Sequence, residues 1–265
     1  MMDERRLFFG AHVASPWPAD CPPGRCISEE CRHITLSFLG NCDFDQFKGI
    51  LETVPKPHFA MAPVGIAEEV VFLPPLHSRV VAASVKWMDG QNDFERYQSE
   101  LSQWLESHGF PMDKRPFFSH ISIARSPFDQ KQWASFFHPL PFFVQGIHLY
   151  QSMGNLQYRS LWEFPLISPF EELDHTADIA FTIRGKTLPQ LHLNAQLALA
   201  FHFPSFIPFF AKILGNTLDE IVIALNKSVS AADAQIGCPF KAVSFHGQIV
   251  KNAQELLEWE MIVDV

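Results

Sequence analysis

The sequence holds 265 residues, of which 47% are hydrophobic, and it carries a formal net charge of -9 at pH 7. This length predicts two domains or one large one, with enough apolar residues to fill their cores. The acidic balance excludes a broad basic scaffold that neutralises many phosphates of a nucleic acid at once. Any contact with nucleic acid is therefore expected to be local, for example at one strand end.

The opening residues MMDERRLFFG lack an apolar segment followed by a cleavage site, which argues against a signal peptide. The most apolar stretch, 197–214, contains a histidine, two prolines and a lysine, so it would make a poor membrane span. We expect a cytoplasmic protein with no membrane partner.

Five cysteines occur, and the first three, Cys21, Cys26 and Cys31, follow one another at intervals of five residues. Their C-x4-C-x4-C spacing lacks the tight C-x2-C pair that is typical of zinc sites. Reduced thiols are therefore the expectation for these three residues, as for Cys42 and Cys238.

In chain order, the hydrophobic pattern predicts a series of strands and helices. Strands are expected at 6–13, 32–39, 64–72, 79–87, 118–124, 144–151 and 158–166. Helices are expected at 43–53, with Asp43 as N-cap, and at 93–108, ending before Gly109. The segment 14–28, rich in proline and cysteine, is expected to be a loop.

Two of these strands contain the same short pattern, HITL at 33–36 and HISI at 120–123. A similar set of strands and a helix accompanies each copy. We interpret this repetition as the internal duplication of a small α+β unit.

The segment ISPF at 167–170 predicts a join between a first domain, 1–167, and a second domain, 168–265. The pattern after the join predicts another α+β domain. Its strands are expected at 179–184, 242–250 and 258–265, and its helices at 188–200 and 217–232.

The first repeated pattern combines a histidine with hydroxyl groups. Side chains two residues apart on a strand share a face. His33, Thr35 and Ser37 are therefore expected on one face of their strand, with the apolar Ile34 and Phe38 on the other.

The second pattern places His120 and Ser122 together in the same way. Cleavage of a phosphate ester needs one group that takes a proton from the attacking water and another that gives a proton to the leaving oxygen. Two imidazoles suit both tasks because their unperturbed pKa is about 6.5. The hydroxyls of Thr35 and Ser122 can donate to phosphate oxygens, and Arg125 offers a fixed cation.

The alternative is that these histidines are structural, as a single histidine in a strand most often is. Two copies of the pattern, each with apolar alternation, favour the catalytic interpretation. The sequence gives no comparable support to the other ten histidines.

Residues 5–166 resemble the LigT-type two-histidine phosphoesterases, the RNA 2',3'-cyclic phosphodiesterases once named 2'-5' RNA ligases. The matching segments are RLFFG at 6–10, HITLSFLG at 33–40, RPFFSHISIAR at 115–125 and GNLQYRSLWEFPL at 154–166.

This resemblance implies a bilobed α+β fold with a central cleft, catalysis without a metal or other cofactor, and a 2'-phosphate product. It also implies that His33 is the proton donor and His120 the acceptor, and that Arg125 matches the family's arginine. The chain departs from the family in the cysteine-containing loop at 14–31, which leaves the length of the substrate open.

Acidic residues mark both ends of the second domain. Asp174 and Asp178 lie in the segment DHTAD, and Asp264 lies in MIVDV. Carboxylates from distant parts of a chain can converge on a hard cation, although solvated acids in loops are the common alternative.

Residues 171–265 resemble archease, which assists the RNA ligase that joins 2',3'-cyclic-phosphate or 3'-phosphate ends to 5'-hydroxyl ends, as in tRNA splicing. The matching segments are EELDHTADIAFTIRGKTL at 171–188, ALN at 224–226, PFKAVSFHG at 239–247 and the terminal VDV.

The archease resemblance implies a divalent cation, Ca²⁺ or Mg²⁺, at Asp178 and Asp264 with Asp174 nearby, and a functional Lys241. The chain is shorter than typical archeases between the second helix and the KAV segment.

Three functions follow as hypotheses. The first is a cyclic phosphodiesterase acting on RNA ends, fused to a module that assists a ligase. The second is a protein that binds RNA ends and assists a ligase without hydrolysis. The third keeps the chemistry but acts on a small cyclic nucleotide or ADP-ribose derivative.

Overall fold

The computed structural model describes residues 3–111, 115–174, 178–212 and 217–265. By their internal contacts the residues fall into two compact units. The first unit comprises the residues up to Pro139 together with Phe143–Ile167, and the second comprises Leu140–Phe142 and Ser168–Val265. Among the described residues, no helix is both long and apolar enough to cross a membrane.

The first unit is built from eight strands and three α-helices in its described part. The strands are β1 (Glu4–Ala14), β2 (Arg25–Cys26), β3 (His33–Asp43), β4 (Val64–Leu73), β5 (Val80–Asp89), β6 (His120–Arg125), β7 (Leu140–Gly154) and β8 (Gln157–Pro165). The helices are α1 (Phe44–Lys48), α2 (Gln91–Ser107) and α3 (Gln130–Phe136), with 3-10 turns at Glu29–Cys31 and Leu51–Thr53.

These strands form one sheet in the order β1-β3-β6-β5-β4-β7-β8, with β2 attached to β6. Strand β1 also pairs with β7, so it is hydrogen-bonded to neighbours on both sides. Within the described residues, the two lobes that the family resemblance implies do not correspond to two separate sheets. Strands β3 and β6, which carry the two histidine patterns, are instead direct neighbours.

Alternation along β1 separates a core face from an open face. Leu7, Phe9 and Ala11 are fully buried on one face, as the period of two along a strand requires. Gly10 and His12 therefore lie on the opposite face, the one that also carries the histidine of β3.

Helix α2 covers part of the core with residues spaced three and four apart. Phe94, Tyr97, Leu101 and Leu105 are all fully buried, which is the pattern of an amphipathic helix packed on a sheet. The chain stops the helix at Gly109, whose φ of 86° favours glycine. The predicted end of this helix is confirmed.

The helix predicted at 43–53 is only partly correct. Asp43 does cap α1, accepting a hydrogen bond from the amide of Asp45. The helix ends after five residues at Gly49, however, and a separate 3-10 turn follows at Leu51–Thr53. The short helix α3 has no counterpart among the predicted elements.

The prediction that all thiols are reduced is wrong for one pair. Cys21 and Cys26 are bonded through their sulfur atoms. Cys26 lies on the two-residue strand β2, which pairs with β6 at Arg125 and Ala124, and Cys21 lies in the loop before it. Cys31, Cys42 and Cys238 are free thiols.

In its described part, the second unit contains a four-stranded sheet and two α-helices. They are β9 (Phe170–Leu173), β10 (Ile179–Gly185), α4 (Leu188–His202), α5 (Leu218–Ile236), β11 (Ala242–Lys251) and β12 (Leu257–Asp264), with a 3-10 helix at Pro204–Phe209. The sheet is antiparallel, in the order β11-β12-β10-β9.

Both helices begin with a threonine cap, which satisfies an amide that lacks a partner inside the helix. Thr187 accepts a hydrogen bond from the amide of Gln190, and Thr217 accepts one from Glu220. The helices cover the sheet and enclose a core that includes Phe181. All five elements predicted for 168–265 are present, and β9 is additional.

Candidate active site

The two histidine patterns meet through a single backbone pair. Ile34 of β3 and Ile121 of β6 are antiparallel partners, and both are fully buried. Their neighbours in sequence therefore point to the opposite, open face of the sheet. Because the strands are antiparallel, the residue before one isoleucine lies across from the residue after the other isoleucine.

This register sets each imidazole against a hydroxyl. Continued by one residue to either side of the Ile34–Ile121 pair, it sets His33 across from Ser122 and His120 across from Thr35, on the same face. The two histidines are diagonal neighbours, for which Cβ atoms are typically about 7–8 Å apart. The structure thus brings together four of the five residues that the sequence proposes for hydrolysis.

Both imidazoles are held by the same local hydrogen bond. Nδ1 of His33 donates to the main-chain oxygen of Cys31 (2.7 Å), and Nδ1 of His120 donates to that of Phe118 (2.9 Å). A carbonyl oxygen only accepts, so the proton of each neutral ring is assigned to Nδ1. Each Nε2 is then left as a base that can take a proton.

Burial favours the neutral form of both rings. His33 is only 6% exposed, and desolvation lowers its pKa to about 4 despite the opposing effect of the hydrogen bond that the ring donates to the main-chain oxygen of Cys31. The positive charge of Arg125 lowers it further, as would a proton on His12 or His120. Desolvation also lowers the pKa of His120, and Arg125 adds to that effect. A bound anion would have the opposite electrostatic effect and would raise the pKa of both rings.

The His33 ring sits in a closely packed aromatic environment. Its centroid is 4.8 Å from that of Phe8, 5.4 Å from Tyr150 and 5.2 Å from Tyr158. A Cβ atom at Gly10 would come within 3.0 Å of Cδ2 of His33. The absence of a side chain at Gly10 therefore makes room for the imidazole.

A cavity of about 480 Å³ opens beside this ring, and all of its lining comes from the first unit. His33, Thr35 and Arg125 are among the residues that line it. His120 and Ser122 lie on the adjoining strand and are not part of the lining. The cavity is large enough for a nucleotide-sized ligand.

Arginines dominate the charge of the cavity. Its lining contains Arg6, Arg25, Arg79 and Arg125, and no acidic side chain from the described part of the chain. None of the four forms a salt bridge with a described residue. Four such cations in a protein of net charge -9 favour the binding of an anion in this cavity.

Strand pairing explains how three of these arginines meet. Arg25 of β2 and Arg125 of β6 are backbone partners, and Val80, which follows Arg79, also pairs with Arg125. The amide of Ser126 donates to the main-chain oxygen of Arg79 (3.0 Å). Arg125 could be predicted from the sequence, whereas Arg6, Arg25 and Arg79 could not, because only the register of separate strands shows that they converge.

A β-bulge changes the predicted faces of β3 beyond Thr35. Gly10 pairs with Thr35 but Phe9 pairs with Ser37, so Leu36 has no opposite partner. Past this bulge Ser37 is buried and Phe38 is 62% exposed and lines the cavity. The prediction for these two side chains is wrong because the extra residue reverses the alternation.

Two further histidines lie on the same face of the sheet. His12 is the backbone partner of His33, and its ring is 5.8 Å from that of His148. The His148 ring stacks 5.1 Å from Tyr150 and its Nδ1 is 3.0 Å from Oγ of Ser160. Desolvation lowers the pKa of His148 to about 4. This pair extends the polar face but is separate from the cavity lining.

In the second unit, the proposed metal residues gather at one end of the sheet. Ile179 pairs with Val263, so Asp178 and Asp264 are the next residues on adjacent strands. The main-chain amide of Lys241 donates to the oxygen of Asp264 (2.8 Å), and its ammonium group donates to the main-chain oxygen of Val265.

The remaining part of the metal prediction finds less support. Leu173 pairs with Ala180, so Asp174 lies beside Ile179, whose side chain points away from that of Asp178. Residues 175–177 of the DHTAD segment lie outside the described residues. Across the described ranges, no three His, Cys, Asp or Glu side chains are grouped to hold a metal ion. Two carboxylates are too few for the six to eight oxygen ligands that Ca²⁺ takes.

No protein-family model and no curated protein matches the sequence. Similar solved structures include a phosphoesterase (20% identity, TM-score 0.45) and Escherichia coli LigT complexed with 3'-AMP (19%, 0.44), each matched over 62% of this chain and 99% of its own. The protein TT0787 of Thermus thermophilus matches 61% of this chain and 97% of its own, with 19% identity and a TM-score of 0.44. At this level of identity, with TM-scores below 0.5, these similarities assign neither a family nor an activity to the chain.

Proposed function

We propose that the first unit hydrolyses 2',3'-cyclic phosphate ends of RNA to 2'-phosphates without a metal ion. One observation carries this proposal: His33 and His120 share one face of adjacent strands, each with Nε2 available, beside an arginine-lined cavity. Two positioned imidazoles and a fixed cation can supply the proton transfers and the charge stabilisation of phosphodiester hydrolysis.

The chemistry divides between the two rings. One imidazole takes a proton from water, whose oxygen attacks phosphorus. The bond from phosphorus to the 3' oxygen breaks, and the other imidazole gives that oxygen a proton. The products are a 2'-phosphate and a 3'-hydroxyl. The family resemblance assigns the donor role to His33 and the acceptor role to His120.

The surrounding polar groups stabilise the charge that develops on the phosphate. Arg125 affects both histidines electrostatically and lines the cavity, so it is placed to contact a phosphate oxygen. The hydroxyls of Thr35 and Ser122, each across from a histidine, are placed to donate to the other oxygens.

The low pKa of the resting histidines also fits an anionic substrate. Burial keeps both rings neutral in the free protein. A phosphate next to the pair favours protonation of one ring, which supplies the general acid only when substrate is bound. Without an anion beside it, a ring that is 6% exposed stays uncharged at neutral pH.

Product analysis tests the proposal. A short RNA with a 2',3'-cyclic phosphate is incubated with the protein in EDTA, and the terminal phosphate is located by mass spectrometry and phosphatase sensitivity. A 2'-phosphate supports the proposal. Tight binding of the RNA without turnover would favour the end-binding hypothesis, and turnover of cyclic mononucleotides or a cyclic ADP-ribose phosphate alone would favour the small-substrate hypothesis.

For the second unit we propose assistance to an RNA ligase that joins such ends. The support is that Asp178, Asp264 and Lys241 lie at one end of its sheet. An RNA-splicing ligase would be assayed for multiple turnover with and without the protein, and a Lys241→Ala variant is expected to lower the stimulation. Equal turnover with and without the wild-type protein would refute this role.

A further inference from the structure

We infer that the cavity beside His33 binds a substrate with a second phosphate group, held by Arg25 and Arg79 next to the cyclic phosphate at Arg125. This inference rests on the proposed function and specifies its substrate class. It distinguishes a nucleotide that carries an additional phosphate from a simple cyclic mononucleotide.

The cavity holds more positive charge than one cyclic phosphate needs. A cyclic phosphodiester has one negative charge, and Arg125 with the hydroxyls of Thr35 and Ser122 already provides for it. Arg25 and Arg79 add two more cations to the same cavity, and no described carboxylate forms a salt bridge with either. Like charges at one place repel unless an anion offsets them.

Arg25 and Arg79 lie on either side of Arg125. Arg25 is the backbone partner of Arg125, and Arg79 precedes the residue that pairs with Arg125 from the other side. Arg25 and Arg125 thus start from neighbouring strands, and Arg79 lies immediately before β5, the strand on the other side of β6. Guanidinium groups bind phosphate oxygens in a bidentate manner, so adjacent arginines suit adjacent phosphates.

The cavity is also larger than a single phosphate group requires. A cavity of about 480 Å³ exceeds the space that one phosphate group needs and matches a nucleotide-sized ligand. Phe38, which is 62% exposed in its lining, offers an aromatic surface that a base can stack on. The cavity therefore has room for a nucleoside together with its two phosphate groups.

Two kinds of substrate carry a second phosphate in addition to the cyclic one. In an RNA end, the second phosphate is the diester that links the terminal nucleoside to the preceding one. In a small nucleotide, it is a 5'-phosphate on the same nucleoside. The probes are therefore adenosine 2',3'-cyclic phosphate, its 5'-phosphorylated form, and the dinucleotide ApA with a terminal cyclic phosphate. A fourth probe is the same dinucleotide with an uncharged methylphosphonate linkage.

The values of kcat/KM for these probes test the inference. We expect the wild type to prefer a probe with a second phosphate over the cyclic mononucleotide by about 10- to 100-fold, the range expected for hydrogen bonds to a charged group. The methylphosphonate probe should lose this preference. Whichever of the two phosphate-bearing probes is preferred identifies the source of the phosphate.

Variants of the two arginines test whether these residues cause the preference for a second phosphate. Arg25→Gln and Arg79→Gln are each expected to reduce the ratio of kcat/KM values, phosphate-bearing over plain, by about tenfold. Arg96→Gln is the matched control, because Arg96 lies on α2 in a salt bridge with Glu100, outside the cavity lining. Its ratio should equal that of the wild type.

The outcomes separate this inference from the proposed function. Hydrolysis of none of the probes would refute the proposed function itself. Equal kcat/KM for the plain and phosphate-bearing probes would refute the second-phosphate site while leaving the hydrolase intact. A dinucleotide preference that survives the methylphosphonate change would show recognition of a second base, and it would also overturn the inference.

Discussion

Ile34 and Ile121 are antiparallel backbone partners in the core of the first unit. Because one residue pair joins the two repeated patterns, the histidine of each copy meets the hydroxyl of the other. The arrangement has an approximate twofold relation, with the same carbonyl-to-Nδ1 hydrogen bond on both sides. A repeated sequence pattern thereby yields two imidazoles that are anchored by the same backbone hydrogen bond.

The catalytic pair leads to the first prediction. His33→Ala and His120→Ala should each lower kcat for a 2',3'-cyclic phosphate end by about 10²- to 10⁴-fold, because each removes one proton transfer. EDTA should leave the wild-type rate unchanged. The measurement is single-turnover hydrolysis of a short RNA, with the exposed His138→Ala as control. Near-full activity in either active-site variant, or inhibition by EDTA, would show the mechanism to be wrong.

The second prediction concerns Gly10. A methyl group at this position would lie 3.0 Å from Cδ2 of His33 and 3.2 Å from Cε2 of Tyr150. Gly10→Ala should displace the imidazole, lower hydrolysis at least about tenfold and destabilise the fold by about 1–3 kcal/mol. Activity and urea unfolding measure the two effects.

The control for this substitution is Gly49→Ala. The nearest atom to a Cβ there is the oxygen of Gln46 at 3.4 Å, and the backbone is in the right-handed helical region. This variant should keep both activity and stability. Equal behaviour of the two alanine variants would mean that Gly10 does not provide the space for His33.

The sequence was sufficient for the local elements and insufficient for their pairing. Hydrophobic alternation located β3 and β6 and placed His33 and Thr35 on one face, because that information lies within a few residues. The convergence of Arg25 and Arg79 on Arg125 depends on the register of three strands from distant parts of the chain. No local pattern contains that register.

Ser37 and Phe38 show a second limit. Strict alternation predicted Ser37 on the histidine face, but the bulge at Leu36 exchanges the two side chains. A bulge forms when the partner strand fits better with one residue skipped, so it depends on β1 as much as on β3. The exposed Phe38 in the cavity could therefore not be identified from the HITLSFLG segment alone.

The third prediction is a loss of stability in acid. The pKa of His33 falls from about 6.5 when unfolded to about 4 when folded, so below pH 6.5 the unfolded state binds more protons. The stabilising contribution of the neutral ring is complete above about pH 6.5 and is lost as the pH falls towards 4. Linkage gives a loss of about 2 kcal/mol between pH 7 and pH 5 for this ring.

Urea unfolding at the two pH values measures this loss. His33→Gln should remove about 2 kcal/mol of the pH dependence, whatever its effect on absolute stability. His148→Gln should act similarly, because burial also lowers the pKa of His148 to about 4. An unchanged pH dependence in both variants would show that these rings are not held neutral by the fold.

The fourth prediction concerns the charge next to the pair. Arg125 lowers the pKa of both His33 and His120. Arg125→Gln should therefore raise both pKa values, and NMR titration of the imidazole C–H signals would detect the change. The same variant should weaken inhibition by inorganic phosphate, because it removes a cation from the cavity. Unaltered titration curves would show that Arg125 is not close enough to tune the pair.

The last prediction concerns Asp178 and Asp264 in the second unit. The pairing of Ile179 with Val263 makes them neighbours across β10 and β12, where Cα atoms of opposite residues are about 4.5–5.5 Å apart. Two carboxylates at this spacing repel each other unless a cation or protons offset their charge. If they bind one, millimolar Ca²⁺ or Mg²⁺ should raise the melting temperature, because a ligand that binds only the folded state stabilises it. Asp178→Asn and Asp264→Asn should each abolish the increment, whereas Asp233→Asn, an exposed change on α5, should retain it. A melting temperature that does not respond to either cation would remove the metal from the proposed role of this unit, and Lys241 would remain as its residue to test in the ligase assay.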